Sequence, residues 1–97
     1  MATDIQCGRW LTYNAAWRKD QGMDFEKEAA MAKLFTSEMC GRVTDHAVQV
    51  HGGYGYTKEY GVERLFREAK LFEIVEGTSE IQRLVIANKL LKDARKK

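Results

Sequence analysis

Between positions 25 and 50 the apolar residues Phe25, Ala29, Ala32, Phe35, Met39, Val43, Ala47 and Val50 recur at steps of 4, 3, 3, 4, 4, 4 and 3. That is the 3.6-residue period of one helix face, sustained for about seven turns. The 97-residue chain contains no proline to interrupt it. One long helix is therefore the element along which the others must pack.

The rest of the chain reads as shorter helices. Residues 3 to 20 are predicted as a first helix, with Thr3 or Asp4 as its cap and Cys7, Trp10, Leu11, Ala15 and Trp17 as a wide apolar face. Gly22 suits the left-handed residue that follows a helix, and Asp24 is the expected start of the long helix, which Gly52 and Gly53 end. After a loop holding Tyr54, Gly55, Tyr56 and Gly61, residues 62–72 (VERLFREAKLF) form a third helix. Gly77 breaks the chain again. Thr78 or Ser79 caps a fourth helix to about residue 94, with Ser79 and Gln82 at capping-box spacing and Ile81, Leu84, Val85, Asn88 and Leu91 on one face. The expected class is all-α, a helical bundle with one glycine-rich elbow and no strand.

Charge and cysteine usage narrow the function. Sixteen basic and 14 acidic residues leave a net charge of +2, too balanced for a nucleic-acid or acidic-membrane surface. Lys92, Arg95, Lys96 and Lys97 suit the negative end of a terminal helix. Cys7 and Cys40 have no metal-type spacing and read as reduced, small core residues. No apolar run approaches bilayer length, so a cytoplasmic or matrix-like setting is expected. The apolar helix faces exceed what so small a core can hide, which predicts packing against a further segment or a second copy.

Few residues are arranged for chemistry. His46 and His51 lie five apart, on different helix faces, and no partner is spaced to complete a metal site. The glycines at 52, 53 and 55 follow a helix, whereas phosphate-binding loops put theirs before one; here they would admit a close backbone or a flat ligand. Glu76, in IVEGTSEIQ at 74–82, stands out. Apolar enclosure of a carboxyl suits it to act as a general base, whereas a helix start favours the plain carboxylate. Both readings remain open on these residues alone.

Several ordered motifs then point one way. QVHGGYGY at 49–56, Glu63-Arg64 with REAK at 67–70, and IVEGTSEIQR at 74–83, together with RWLTY at 9–13 and AKLF at 32–35, resemble the C-terminal helical domain of acyl-CoA dehydrogenases over nearly the whole chain. The resemblance implies one domain, residues 1–97, forming an incomplete up-and-down four-helix bundle whose first helix and upstream domains lie outside the sequence. It implies FAD as cofactor, an acyl-CoA thioester as substrate, electron-transfer flavoprotein as acceptor and a homotetramer.

The same resemblance implies roles. Glu76 matches the base that removes the α-proton, and Gly77 and Val75 match positions beside the acyl group. Thr78 and Glu80 match contacts to FAD, and Gln49, Gly52 and Gly53 match contacts to the FAD of a neighbouring subunit. Three positions depart from the common pattern: Val75 stands where many members carry an aromatic residue, Glu68 where an aspartate is common, and Asn88 where some have an arginine near the CoA phosphates. A stand-alone helical interaction module of the same fold is the competing expectation. By either reading these 97 residues are expected to be inactive on their own.

Overall fold

The computed structural model describes residues 1–96. Four helices carry most of the chain: α1 (Ala2–Asp20), α2 (Glu26–His51), α3 (Val62–Phe72) and α4 (Ser79–Arg95). Short 3-10 turns at Gly52–Tyr56 and Lys58–Tyr60 form the elbow between α2 and α3. No strand occurs among the described residues, and none of their helices is long and apolar enough to cross a membrane.

The long helix is the axis. α1, α3 and α4 each pack on α2 and not on one another. Two ion pairs set α1 antiparallel to it, Arg42 with Asp4 at 3.7 Å and Arg18 with Glu28 at 3.2 Å. Along the other side α3 and α4 lie end to end and both run back against α2. Gly41 faces Glu73 at the end of α3, Arg83 at the start of α4 pairs with Glu38, and Asp93 near its end pairs with Lys27. The α3–α4 line is thus one interrupted row, and its break is the turn at residues 73–78.

Small residues make the close approaches. Ala15, Ala30, Ala32 and Ala69 are the buried apolar residues, joined by Gly8, Gly55, Ser37 and Ser79. A Cβ on Gly8 would sit 3.1 Å from Thr36 Cγ2, so α1 meets α2 where a side chain is missing. No large side chain among the described residues is fully buried. The radius of gyration is 16.2 Å, against about 12.5 Å for a compact domain of this length. The helices form an open layer around α2 rather than a closed core.

Several expectations change. α1 starts at Ala2 with Met1 before it and no side-chain cap; Thr3 lies inside the helix, as does Asp4, which pairs with Arg42. α2 begins at Glu26, two residues beyond Asp24, whose Oδ1 accepts the Glu26 N–H at 3.2 Å. Thr78 caps α4 by accepting the Ile81 N–H at 3.3 Å. The Ser79–Gln82 box is absent because the Gln82 amide donates instead to Glu76 O, and Ser79 Oγ is buried without a partner.

Two predicted faces also turn outward. In α1 the inner face is Asp4, Gly8, Leu11, Ala15 and Arg18, so Trp10, Trp17 and Cys7 are exposed, against the expectation of a core cysteine. Cys40 is half-buried. In α4 the apolar Ile81, Leu84 and Leu91 are exposed, and the α2 side carries half-buried Gln82, Val85, Lys89 and Asp93.

Candidate functional site

The break between α3 and α4 and the first turn of α4 hold five of the eight residues singled out in the sequence: Val75, Glu76, Gly77 and Thr78 in the break and Glu80 in the helix. α3 winds down through the Ile74 and Val75 N–H groups, both bonded to Leu71 O at 3.0 Å. Glu76 then takes φ 55°, making it the one non-glycine residue with positive φ among those described. Gly77 follows at φ 101°. Two left-handed residues in succession reverse the chain so that Thr78 can cap α4. The Ser79 N–H closes the turn on Glu73 O at 3.1 Å.

A glutamate in the left-handed region is strained by on the order of 1–3 kcal/mol, so something must hold it. Lys33, half-buried on α2, reaches across and donates to Phe72 O and to Gly77 O, both at 2.7 Å. One is the carbonyl of the last residue of α3, a group that helix geometry leaves without an internal partner, and the other lies just past Glu76. Each charge-assisted bond contributes about 1.5–3 kcal/mol, enough to offset the strain. Gln82 adds a long contact to Glu76 O at 3.4 Å.

The Glu76 side chain itself is exposed. Apolar enclosure by its sequence neighbours does not occur within the described chain, since Ile74 is 55% and Val75 39% exposed. Instead Glu76 borders an open cleft of about 440 Å³ with Lys33, Thr36, Met39, Phe72 and Val75. No backbone acceptor among the described residues takes the Glu76 N–H. The turn therefore presents a carboxylate and the unpaired N–H of the same residue side by side.

Gln49, Gly52 and Gly53 lie elsewhere. They lie at the elbow that closes α2, with Gln49 sixteen residues beyond Lys33 and so about 24 Å along the helix, and the two glycines farther still. Gly52 ends the helix at φ 65°, and a Cβ on either glycine would meet nothing within 4 Å. The backbone there is bare and open, with Gln49 exposed beside it. The chain does not bring this elbow and the Glu76 turn to one place. His51 Nδ1 pairs with Ala47 O at 2.8 Å, a local bond at the helix end.

Lys33 carries no role in the sequence reading. A single lysine in a helix reads as solvated. The available signal is a second stripe on α2, Ala30, Lys33, Ser37, Gly41 and Thr44, whose steps of 3, 4, 4 and 3 mark a face of small and polar residues. That is the face turned to the α3–α4 row.

Comparison with known proteins agrees with this architecture. Residues 1–91 match the family model described as acyl-CoA dehydrogenase, C-terminal domain. A probable acyl-CoA dehydrogenase of Bacillus subtilis is 62% identical over 92 residues, covering 95% of this chain and 24% of that protein. A subunit of the caffeyl-CoA reductase–Etf complex of Acetobacterium woodii is 50% identical with the same coverage. The solved butyryl-CoA dehydrogenase of Megasphaera elsdenii superposes with a TM-score of 0.91 at 46% identity, over 94% of this chain and 24% of that one. The chain thus spans about a quarter of the length of the relatives it matches. It belongs to the acyl-CoA dehydrogenase family of flavoprotein oxidoreductases, whose C-terminal helical domain it matches.

Proposed function

We propose that this chain is the C-terminal helical part of an FAD-dependent acyl-CoA dehydrogenase, with Glu76 as the base that removes the α-proton of an acyl-CoA thioester. The observation that carries this reading is the braced, left-handed Glu76 at the break between α3 and α4. Strain of this kind persists where surrounding structure holds it for a task.

An α C–H beside a thioester is a weak acid, so proton removal needs a placed carboxylate and donors for the enolate oxygen. The carboxylate of Glu76 accepts the proton, and its own unpaired N–H meets the thioester carbonyl. Gly77, with no side chain, and Val75 border the acyl group. Flavin, when bound, would supply at N5 the acceptor for the hydride that leaves the substrate β-carbon. The remaining apolar enclosure of Glu76 comes from groups outside these residues.

The residues suit that cofactor in a divided way. Thr78 and Glu80 would hold it from the side of the Glu76 turn. Gln49 with the bare backbone of Gly52 and Gly53 is too distant to join them in one chain, which fits contact with the flavin of a second copy. A homo-oligomer fits the same division, and the family resemblance makes the tetramer the proposed form. Electron-transfer flavoprotein is the proposed acceptor, supported by the Etf-complex relative.

In the flavin-loaded enzyme that includes this segment, Glu76→Gln should lower kcat by about 10²–10⁴-fold with flavin absorbance retained. Unchanged turnover would sink the assignment. The isolated chain should be colourless and should not reduce a dye with acyl-CoA. The exposed aromatic row Trp10, Tyr13 and Trp17 favours a second reading, a non-catalytic helical association module. Dye reduction by the assembled enzyme separates the two.

A further inference from the structure

We propose that Lys33 is a positioning residue for the Glu76 turn, holding the carboxylate in register for proton removal; this rests on the reading of Glu76 as the base. Lys33 is set apart from the other cations near α2. Lys27 and Lys89 pair with Asp93 and Asp24, Arg83 with Glu38 and Arg18 with Glu28. No carboxylate among the described residues lies within ion-pair reach of Lys33, and its two bonds go to backbone carbonyls.

Those carbonyls bracket the reacting residue. Phe72 O lies four residues before Glu76 and Gly77 O one residue after it, and both are 2.7 Å from the same nitrogen. A single ammonium thus fixes the separation of the two ends of the turn, with Glu76 between them. The stem of Lys33 rises from between Ala30 and Ser37, both buried, so its root is packed and cannot drift. Lys33 also lines the cleft that Glu76 borders. Removing the ammonium frees both carbonyls at once and leaves the turn to the Ser79 N–H bond on Glu73 O and the 3.4 Å contact from Gln82 to Glu76 O. The left-handed residue can then relax towards an ordinary conformation and carry its carboxylate out of register.

The test uses Lys33→Met, which keeps length and apolar stem, and Lys33→Arg, which restores a cation with several donors, in the flavin-loaded enzyme. Lys33→Met should lower kcat per bound flavin by about 10²-fold, the cost of displacing a reacting group by about 1 Å, with KM for acyl-CoA nearly unchanged. Lys33→Arg should recover a substantial part of that loss. A second readout needs no turnover: in Lys33→Met the Val75 and Ser79 amides, bonded to Leu71 O and Glu73 O, should exchange hydrogen about tenfold faster or more.

Should Lys33→Met not fold, Lys33→Gln keeps one neutral donor and carries the same comparison. Unchanged kcat in the neutral variant while Glu76→Gln is inactive overturns the role of Lys33 alone. Unchanged exchange at Val75 and Ser79 does so as well. An active Glu76→Gln removes the base reading and this role with it, even if exchange shows that Lys33 holds the turn.

Discussion

A Cβ placed on Gly77 would stand 2.6 Å from Nε2 of Gln82, the same amide that reaches back to Glu76 O. Gly77→Ala therefore does two things at once. It puts a side chain at φ 101°, where only glycine is at ease, and it pushes Gln82 off the turn. We expect a loss of about 1–3 kcal/mol of stability, measured by urea unfolding, and a lower kcat in the flavin-loaded enzyme. Gln82→Ala should keep most of the stability, because it removes only a 3.4 Å contact. Equal losses in the two variants would show that backbone strain at Gly77 is unimportant.

The long helix and α3 were legible because their signals are periodic. Seven apolar positions on α2, with Phe25 just before it, share one phase, and VERLFREAKLF sits between two glycine breaks, so α3 occupies the predicted residues 62–72. α1 was harder. Its contact face depends on Gly8 and Ala15, which add almost nothing to an apolar pattern, whereas Trp10 and Trp17 dominate that pattern and point outward. Helix contacts made by small residues are read from space, not from hydrophobicity.

The candidate site divides in the same way. A glutamate, a glycine and a capping threonine between two helical stretches were visible as a chain break. The left-handed backbone of Glu76 was not, since no propensity assigns that conformation to glutamate. Nor was the brace from Lys33, which joins residues 39 and 44 positions apart. Its 3.6-period stripe of small and polar residues has no sharp hydrophobic contrast to flag it.

Two glycines at close approaches should respond differently to alanine. At Gly8 the new Cβ meets Thr36 Cγ2 at 3.1 Å and Met39 Cε at 3.2 Å, and the methionine end can move aside. At Gly55 it meets Val48 O at 2.6 Å and His51 Cβ at 2.8 Å, and a backbone carbonyl cannot rotate away. Gly55→Ala should cost about 1–3 kcal/mol, and Gly8→Ala clearly less. Chemical denaturation of both variants checks the order. Since Gly55 sits beside Gly52 and Gly53, its variant should also weaken flavin retention in the assembled enzyme.

The start of α2 has a pH signature. Asp24 is held below the ordinary 3.8 by its hydrogen bond to Lys89 first, and by the Glu26 N–H second. Lys89 is raised above the ordinary 10.5, chiefly by the same bond. A lowered carboxyl stabilises the fold above its unfolded pKa and loses that contribution as pH falls through its folded value. A raised ammonium stabilises below its unfolded pKa and loses that contribution as pH rises through its folded value. Asp24→Asn should therefore melt lower than the parent at neutral pH. The gap should close in acid well below pH 3.8 and narrow in alkali above pH 10.5, where the Glu26 N–H bond remains, with thermal melts across the range as the measurement. A gap that persists in acid would place the loss elsewhere.

The outward aromatic row on α1 gives the last prediction. Trp10, Tyr13 and Trp17 are 66%, 62% and 54% exposed, and they recur at helical spacing on the face opposite Gly8 and Ala15. Leu84 and Leu91 on α4 are also more than half exposed, at 58% and 55%. Burial of one large apolar side chain contributes about 1.5–3 kcal/mol, so a row of three can drive association if a second surface meets it. The chain should sediment above its monomer mass, with a concentration-dependent fraction. Trp10→Ser with Trp17→Ser should shift it to the monomer and leave helicity by circular dichroism unchanged, because neither ring packs inside the α1–α2 contact. A parent that stays monomeric at high concentration would mean that α1 and α4 need a partner other than a second copy.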